Sequence, residues 1–176
     1  MSPNPTIPTI TEPLVGLLRQ LATVIEGLDA DQYCARRVSD ISGSIGGHVR
    51  HCLDHVRAFV AGAECGHVEY DSRLRGTLVE SRREAALLEI LRLQRRVAEL
   101  DPSLWRAPLM LISLDSDSPV AVAQSSVARE LAFVVSHTIH HCAIIAFLLR
   151  ELGVPIPNRF GFAPSTPAPA VSARCA

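Results

Sequence analysis

The stretch Ser126–Leu152, SVARELAFVVSHTIHHCAIIAFLLREL, constrains this chain more than any other. Its length and apolar content predict a long buried helix, yet it carries His137, His140 and His141, where a core helix normally carries no histidine. His137 and His141 are four residues apart, which on an α-helix puts their side chains one above the other on one face. Val134, Ile144, Ile145 and Leu148 surround them with hydrocarbon, so the imidazoles need partners within the fold. A metal ion is one such partner.

A second window, Ser44–Gly62 (SIGGHVRHCLDHVRAFVAG), carries His48, His51 and His55 at i, i+3 and i+7, again one helical face. Six of the seven histidines therefore fall in two short windows far apart in sequence. Helices this apolar must pack together, and the simplest packing turns the two histidine faces toward each other. That arrangement assembles a three-histidine site with open coordination positions.

The remaining composition excludes several classes. A net charge of −1 and a pI of about 6.6 leave no basic patch for nucleic acid or anionic membrane. Five cysteines without paired spacing point to reduced thiols and a cytoplasmic protein. The segment MSPNPTIPTI has neither a basic nor an apolar signal region, and the histidines in the last apolar run argue against a membrane span. Glu130 does not stand at the Glu-x-x-His spacing of a di-iron bundle, and the H-E-x-x-H of metalloproteases is absent.

In order, residues 1–10 read as an extended lead, and Thr11 as the N-cap of a first helix bearing Leu14, Leu17, Leu18, Leu21, Val24 and Ile25 as far as Gly27. Residues 29–43 form a polar connection with room for a turn of helix. The histidine helix follows, capped by Ser42 or Ser44, with Gly46 and Gly47 allowing close approach of another backbone or a ligand. Residues 63–80 make a long crossing, read either as a solvated arm or as a lid, in which Tyr70, Asp71 and Arg73 are solvated loop residues or substrate contacts.

Ser81 opens a third helix with Ala85, Leu88, Leu91, Leu93, Val97 and Leu100 as its apolar side and Glu84, Glu89, Arg92, Arg95, Arg96 and Glu99 as its wet side. Residues 107–123 change to a two-residue period around DSDSP, which predicts a small hairpin. Ser126 caps the fourth helix, and Gly153, Pro155 and Pro157 end it. The expected architecture is an all-α four-helix bundle over residues 11–157, with a long crossing loop, a small β-hairpin before the last helix, and an extended tail over 158–176 pinned by Phe160 and Phe162.

The run SIGGHVRHCLDH, followed far downstream by SHTIHHCAII, resembles the DinB-like (damage-inducible) superfamily of metal-binding four-helix bundles, which includes thiol-dependent S-transferases and a maleylpyruvate isomerase. The resemblance covers nearly the whole bundle. It places the second-helix ligand on His51 with Asp54 as the family's acidic position, and the H-x-x-x-H of the fourth helix on His137 and His141, with His140 as an extra histidine. The chain departs from the family just afterwards, with Cys142 and Ala143 where many relatives carry a polar residue and glycine. The resemblance implies a divalent ion, commonly zinc or nickel, and a homodimer.

Imidazole chemistry agrees on the ion and also admits iron(II). The expected ligands are thus His51, His137 and His141, with His48 in reserve, as fourth ligand, outer partner or solvent contact, and His55 an outer-shell or mouth residue. Asp54 is either an acceptor that orients a ligand imidazole or an exposed helix acid. Cys52 and Cys142 point off the ligand face and read as small buried hydrophobes. The expected function is activation of a thiol or water for transfer or hydrolysis on a small molecule; the alternative is a non-catalytic stress or interaction protein braced by its ion.

Overall fold

The computed structural model describes residues 10–36, 43–71, 76–115 and 118–167. Residues 1–9, Arg73 and residues 168–176, on which parts of the expected lead, crossing and tail fall, lie outside that description.

Helix α1 (Glu12–Glu26) buries Leu14, Leu18, Leu21, Val24 and Ile25, the stripe expected from its spacing. Thr11 caps it through its backbone carbonyl, which accepts from the Val15 N–H, and its side chain makes no cap hydrogen bond. Helix α2 (Ala30–Cys34) is the short turn expected in the first connection. Its signal is a reciprocal capping box in which the Asp29 carboxylate accepts from the Gln32 N–H and the Gln32 side chain accepts from the Asp29 N–H.

Helix α3 (Ile45–Cys65) starts where the Ser44 hydroxyl accepts from the Gly47 N–H. It continues past Gly62, the expected end, to a left-handed cap at Gly66. Gly62 serves packing: a Cβ there would stand 2.8 Å from Val68 Cβ, in the strand that lies across the helix. Gly46 likewise admits a neighbour, since a Cβ would meet the Glu80 carbonyl and come 2.7 Å from Tyr33 Cε1. A backbone, not a ligand, uses that space.

The crossing between α3 and the next long helix is structured. It contains strand β1 (His67–Glu69) and helix α4 (Leu78–Ser81), which the sequence pattern does not announce because each is held by tertiary partners. Helix α5 (Arg83–Ala98) starts after a break at Arg82 in extended conformation. It buries Ala86, Ile90, Leu93 and Val97, whereas Leu88 and Leu91 are exposed, so the helix is rotated from the expected stripe. Cross-helix ion pairs from α3, Arg57 to Glu89 and Glu64 to Arg96, accompany this rotation, and Glu89 leaves the wet side.

After a 3-10 turn at Pro102–Arg106, strands β2 (Pro108–Asp115) and β3 (Ser118–Ser126) form the expected hairpin, with Leu111 opposite Ala123. Strand β1 adds in parallel to β2, Val68 against Leu111, giving a three-stranded sheet in the order β1-β2-β3. Helix α6 (Val127–Glu151) begins where the Ser126 hydroxyl accepts from the Arg129 N–H. By length and composition α6 could cross a membrane, and here it packs against α1 and α3.

Around the bundle the order is α1, α5, α3, α6, so α1 and α3 stand on one diagonal and α5 and α6 on the other. Both diagonal steps need long connections, which is why the capping-box turn and the hairpin lie where they do. The neighbours α3 and α6 bring their histidine faces together. Phe160 is 1% exposed and pins the start of the expected tail to the bundle, while Phe162 is 44% exposed and does not.

Candidate metal centre

Five of the seven histidines meet between α3 and α6. The helices run antiparallel there, so His48 lies level with His141, and His51 and His55 level with His137. The His51 Nε2 and His137 Nε2 atoms are 2.9 Å apart, and the Nδ1 atoms of His48 and His141 are 3.2 Å apart. Ring centroids separate His55 from His137 by 4.0 Å, His51 from His55 and from His141 by 4.4 Å, and His137 from His141 by 4.6 Å. His140 is exposed beside the cluster, its ring 5.1 Å from that of His141, and His67 belongs to β1.

The expected ligands His51, His137 and His141 thus share one cluster. Among the described residues, however, the three donor atoms that converge belong to His51, His55 and His137, all within 4.8 Å of one another. In the sequence His55 reads as an outer-shell or mouth residue. The crossing of α3 on α6 brings His137 beside it.

The His55 Nδ1–H donates to the His51 carbonyl at 3.0 Å. This is a helical i, i+4 contact that fixes the ring, and it makes Nε2 the nitrogen through which His55 would act as a ligand. His141 is 9% exposed, and burial, followed by the neighbouring His137, His48, His140 and His55, lowers its pKa to about 3. It is therefore a neutral imidazole throughout the physiological range.

These features fit a divalent ion. Two nitrogens bound to one ion at about 2.0–2.1 Å, with angles of about 90–110°, stand roughly 2.8–3.4 Å apart. The 2.9 Å and 3.2 Å pairs lie close to that separation. The surroundings supply orientation and hydrocarbon: Phe133 is 5.6 Å from His137, and Val134, Leu131 and Ile145 are buried alongside.

Asp54 does not orient an imidazole. Its carboxylate accepts from Arg57 at 2.7 Å and pairs with Arg50 at 3.5 Å, on the side of α3 that faces α4 and α5. The reason is local: Arg50 and Arg57 stand at i−4 and i+3 from Asp54, and Glu80 and Glu89 extend the network onto those helices. Cys52 and Cys142 are buried thiols whose pKa values burial raises, that of Cys142 to about 12, so neither offers a thiolate.

Two residues that the site uses were not legible as such. Tyr70, the residue after β1, is half-buried; its ring stacks on His55 at 5.2 Å and 11°, and its hydroxyl donates to Glu130 Oε2 at 2.9 Å. Burial, then the Glu130 charge, pushes its phenol well above the ordinary tyrosine range. Glu130 is 0% exposed and also accepts from Ser125 Oγ at 2.6 Å and Arg129 Nη1 at 2.8 Å. A signal existed: Glu130, Val134, His137 and His141 fall at i, i+4, i+7 and i+11, so the acid lies on the buried stripe of α6.

Comparison with solved structures places this architecture. YfiT from Bacillus subtilis, described as a probable metal-dependent hydrolase with an unusual four-helix bundle topology, superposes with a TM-score of 0.63 at 15% identity over 88% of this chain and 95% of that one. The DinB-like protein YjoA of the same organism superposes with a TM-score of 0.61 at 16% identity, over 83% of this chain and 92% of its own. The chain has the DinB-like fold. No protein-family model matches it. Among curated proteins, FK506-binding protein 5 of Rhizopus delemar is 40% identical over 101 residues, 56% of this chain. That match spans only 26% of the length of the relative. Within the DinB-like fold, the clustered histidines occupy α3 and α6, the two helices on which the sequence motifs place them.

Proposed function

We propose that this DinB-like chain binds one divalent ion between α3 and α6 and acts as a metal-dependent enzyme on a small molecule. The observation that carries the reading is the convergence of the His51, His55 and His137 donor atoms within 4.8 Å. His51 and His137 are common to this set and to the motif-derived set. His55 is the third donor by position, and His141 is the third donor by motif. Zinc or nickel suits an all-imidazole set, and iron(II) is compatible. When bound, such an ion supplies a water or thiol of lowered pKa as a nucleophile.

The chain's own residues hold His141 neutral and fix the His55 ring through its bond to the His51 carbonyl, and Phe133 and the buried aliphatic side chains limit water around the cluster. Hydrolysis is the first reaction class, in keeping with the description of YfiT, and thiol transfer is the second. A small-molecule substrate in place of nucleic acid, a cytoplasmic setting and a homodimer belong to the same proposal; the net charge of −1 supports the first of these.

The test is elemental analysis of untagged protein beside its His51→Ala, His55→Ala, His137→Ala and His141→Ala variants, followed by turnover assays on ester, amide and thiol–electrophile panels. About one equivalent of metal in the parent, lost in His51→Ala and His137→Ala, is expected. Retention by either His55→Ala or His141→Ala identifies the dispensable donor. Absence of metal after loading with zinc, nickel or iron(II) refutes the site.

A second reading, a bracing ion without catalysis, draws on the burial of His55 and His141 inside the bundle. It predicts a large fall in melting temperature on metal removal and no turnover on any panel.

A further inference from the structure

The stack at the end of the histidine cluster is built from four separate elements. Tyr70 follows β1, Ser125 lies at the end of β3, Glu130 is in the first turn of α6, and His55 is on α3. A carboxylate that is 0% exposed is costly unless its lone pairs are filled, and Glu130 is filled by Tyr70, Ser125 and Arg129. An apolar side chain would pack there without that cost, so the acid requires a reason. Its contacts supply one, because they fix Tyr70.

The hydroxyl of Tyr70 is latched by Glu130, and its ring lies nearly parallel to the His55 ring, 11° and 5.2 Å away. His55 stacks also on His137, 4.0 Å and 26° away, and its ring rotation is set by the bond from Nδ1–H to the His51 carbonyl. Phe133 closes the group, 5.1 Å from Tyr70 and 5.6 Å from His137. Neither Tyr70 nor Glu130 belongs to the convergent donor set, yet together they restrain the tilt of one of its members.

We infer that Glu130 and Tyr70 are positioning residues for the metal centre: Glu130 holds Tyr70, and Tyr70 holds the His55 imidazole in the orientation that presents Nε2 to the ion. This rests on the reading that the cluster binds a metal with His55 as a donor. Partners that orient ligand imidazoles are worth about 10–100-fold in metal affinity. The strand β1 gains a purpose from this, since its pairing with β2 delivers Tyr70 to the site.

The experiment is cobalt(II) titration of the full chain, following visible absorption and competition with a chromophoric chelator. The variants are Tyr70→Phe, Tyr70→Leu and Glu130→Gln, each alone and in a His55→Ala background. Tyr70→Leu is expected to weaken cobalt(II) binding about 10–100-fold and shift the absorption bands. Tyr70→Phe, which keeps the stack and loses the latch, is expected to weaken it about tenfold. In the His55→Ala background both effects should vanish, an outcome that general destabilisation would not give. Should Glu130→Gln fail to fold, the two Tyr70 variants carry the test.

Variants that match the parent in affinity and absorption, or that lose as much without His55 as with it, overturn the positioning role alone. A parent that binds no cobalt(II) overturns this role and the metal site together.

Discussion

Acidification offers a test of the cluster that does not require knowledge of the substrate. His141 has its pKa lowered from 6.5 to about 3 in the folded chain by burial and by the neighbouring imidazoles. The unfolded chain therefore takes up a proton near pH 6.5 that the folded chain refuses. The stability contributed by neutral His141 is complete above pH 6.5 and is lost as pH falls from there toward 3. Each pH unit in that window removes up to about 1.4 kcal/mol, so a descent from pH 8 to pH 5 costs about 2 kcal/mol. For a domain of this size that corresponds to a fall in Tm of about 4–8 °C.

The assay is thermal and urea unfolding of metal-free protein across that range, beside His141→Gln, which cannot titrate. The parent should lose stability on acidification more steeply than the variant. Equal pH dependence in the two proteins, or a parent that gains stability at pH 5, would refute the claim that His141 is held neutral.

Metal linkage should be visible in the same format. Zinc at about 100 times its dissociation constant should raise unfolding free energy by about 2.7 kcal/mol in the parent, and a calorimetric scan should show no such gain in His51→Ala. Asp54→Ala leaves Arg50 and Arg57 short of a buried partner and should cost about 3 kcal/mol in urea unfolding while metal stoichiometry stays at the parental value. Loss of metal in that variant would return Asp54 to a ligand-orienting role. Phe160→Ala removes a ring that is 1% exposed and should cost about 3–5 kcal/mol, measured by chemical denaturation. A cost near zero would show that residues after α6 do not stabilise the bundle.

The four long helices and the hairpin were legible from their apolar periods, and two of the helices carry clear caps as well. Ser126 caps α6 as expected, Ser44 is the one of two candidate serines that caps α3, and alternation around residues 107–123 marks β2 and β3. The rotation of α5 was not legible, since Leu88 and Leu91 on one stripe and Ala86 and Ile90 on another are equally good helical patterns. Partners on α3 distinguish them.

Strand β1 escaped notice for a related reason: three residues have no period, and their pairing depends on β2, which lies more than forty positions away at Met110–Ile112. At the site, the stacking of histidines along each helix followed from spacing, whereas the level at which α3 meets α6 did not. That level brings His55 beside His137 and puts Tyr70 over both. Tyr70 looked like a loop residue because the chain around it is polar. Its partner Glu130 looked like an ordinary first-turn acid.

The diagonal order of the bundle has a further consequence for the chain as a polymer. His51 and His137 touch across 86 positions of sequence, so any bond joining them closes a large loop. In the chain-entropy treatment of cross-links, closure of a loop of that length removes about 4.6 kcal/mol of unfolded-state freedom at 25 °C. An ion shared by those two imidazoles would thus act as a staple that can be withdrawn, tying the first half of the chain to the second only while metal is supplied. Metal availability would then set the balance between a closed ring and an open thread.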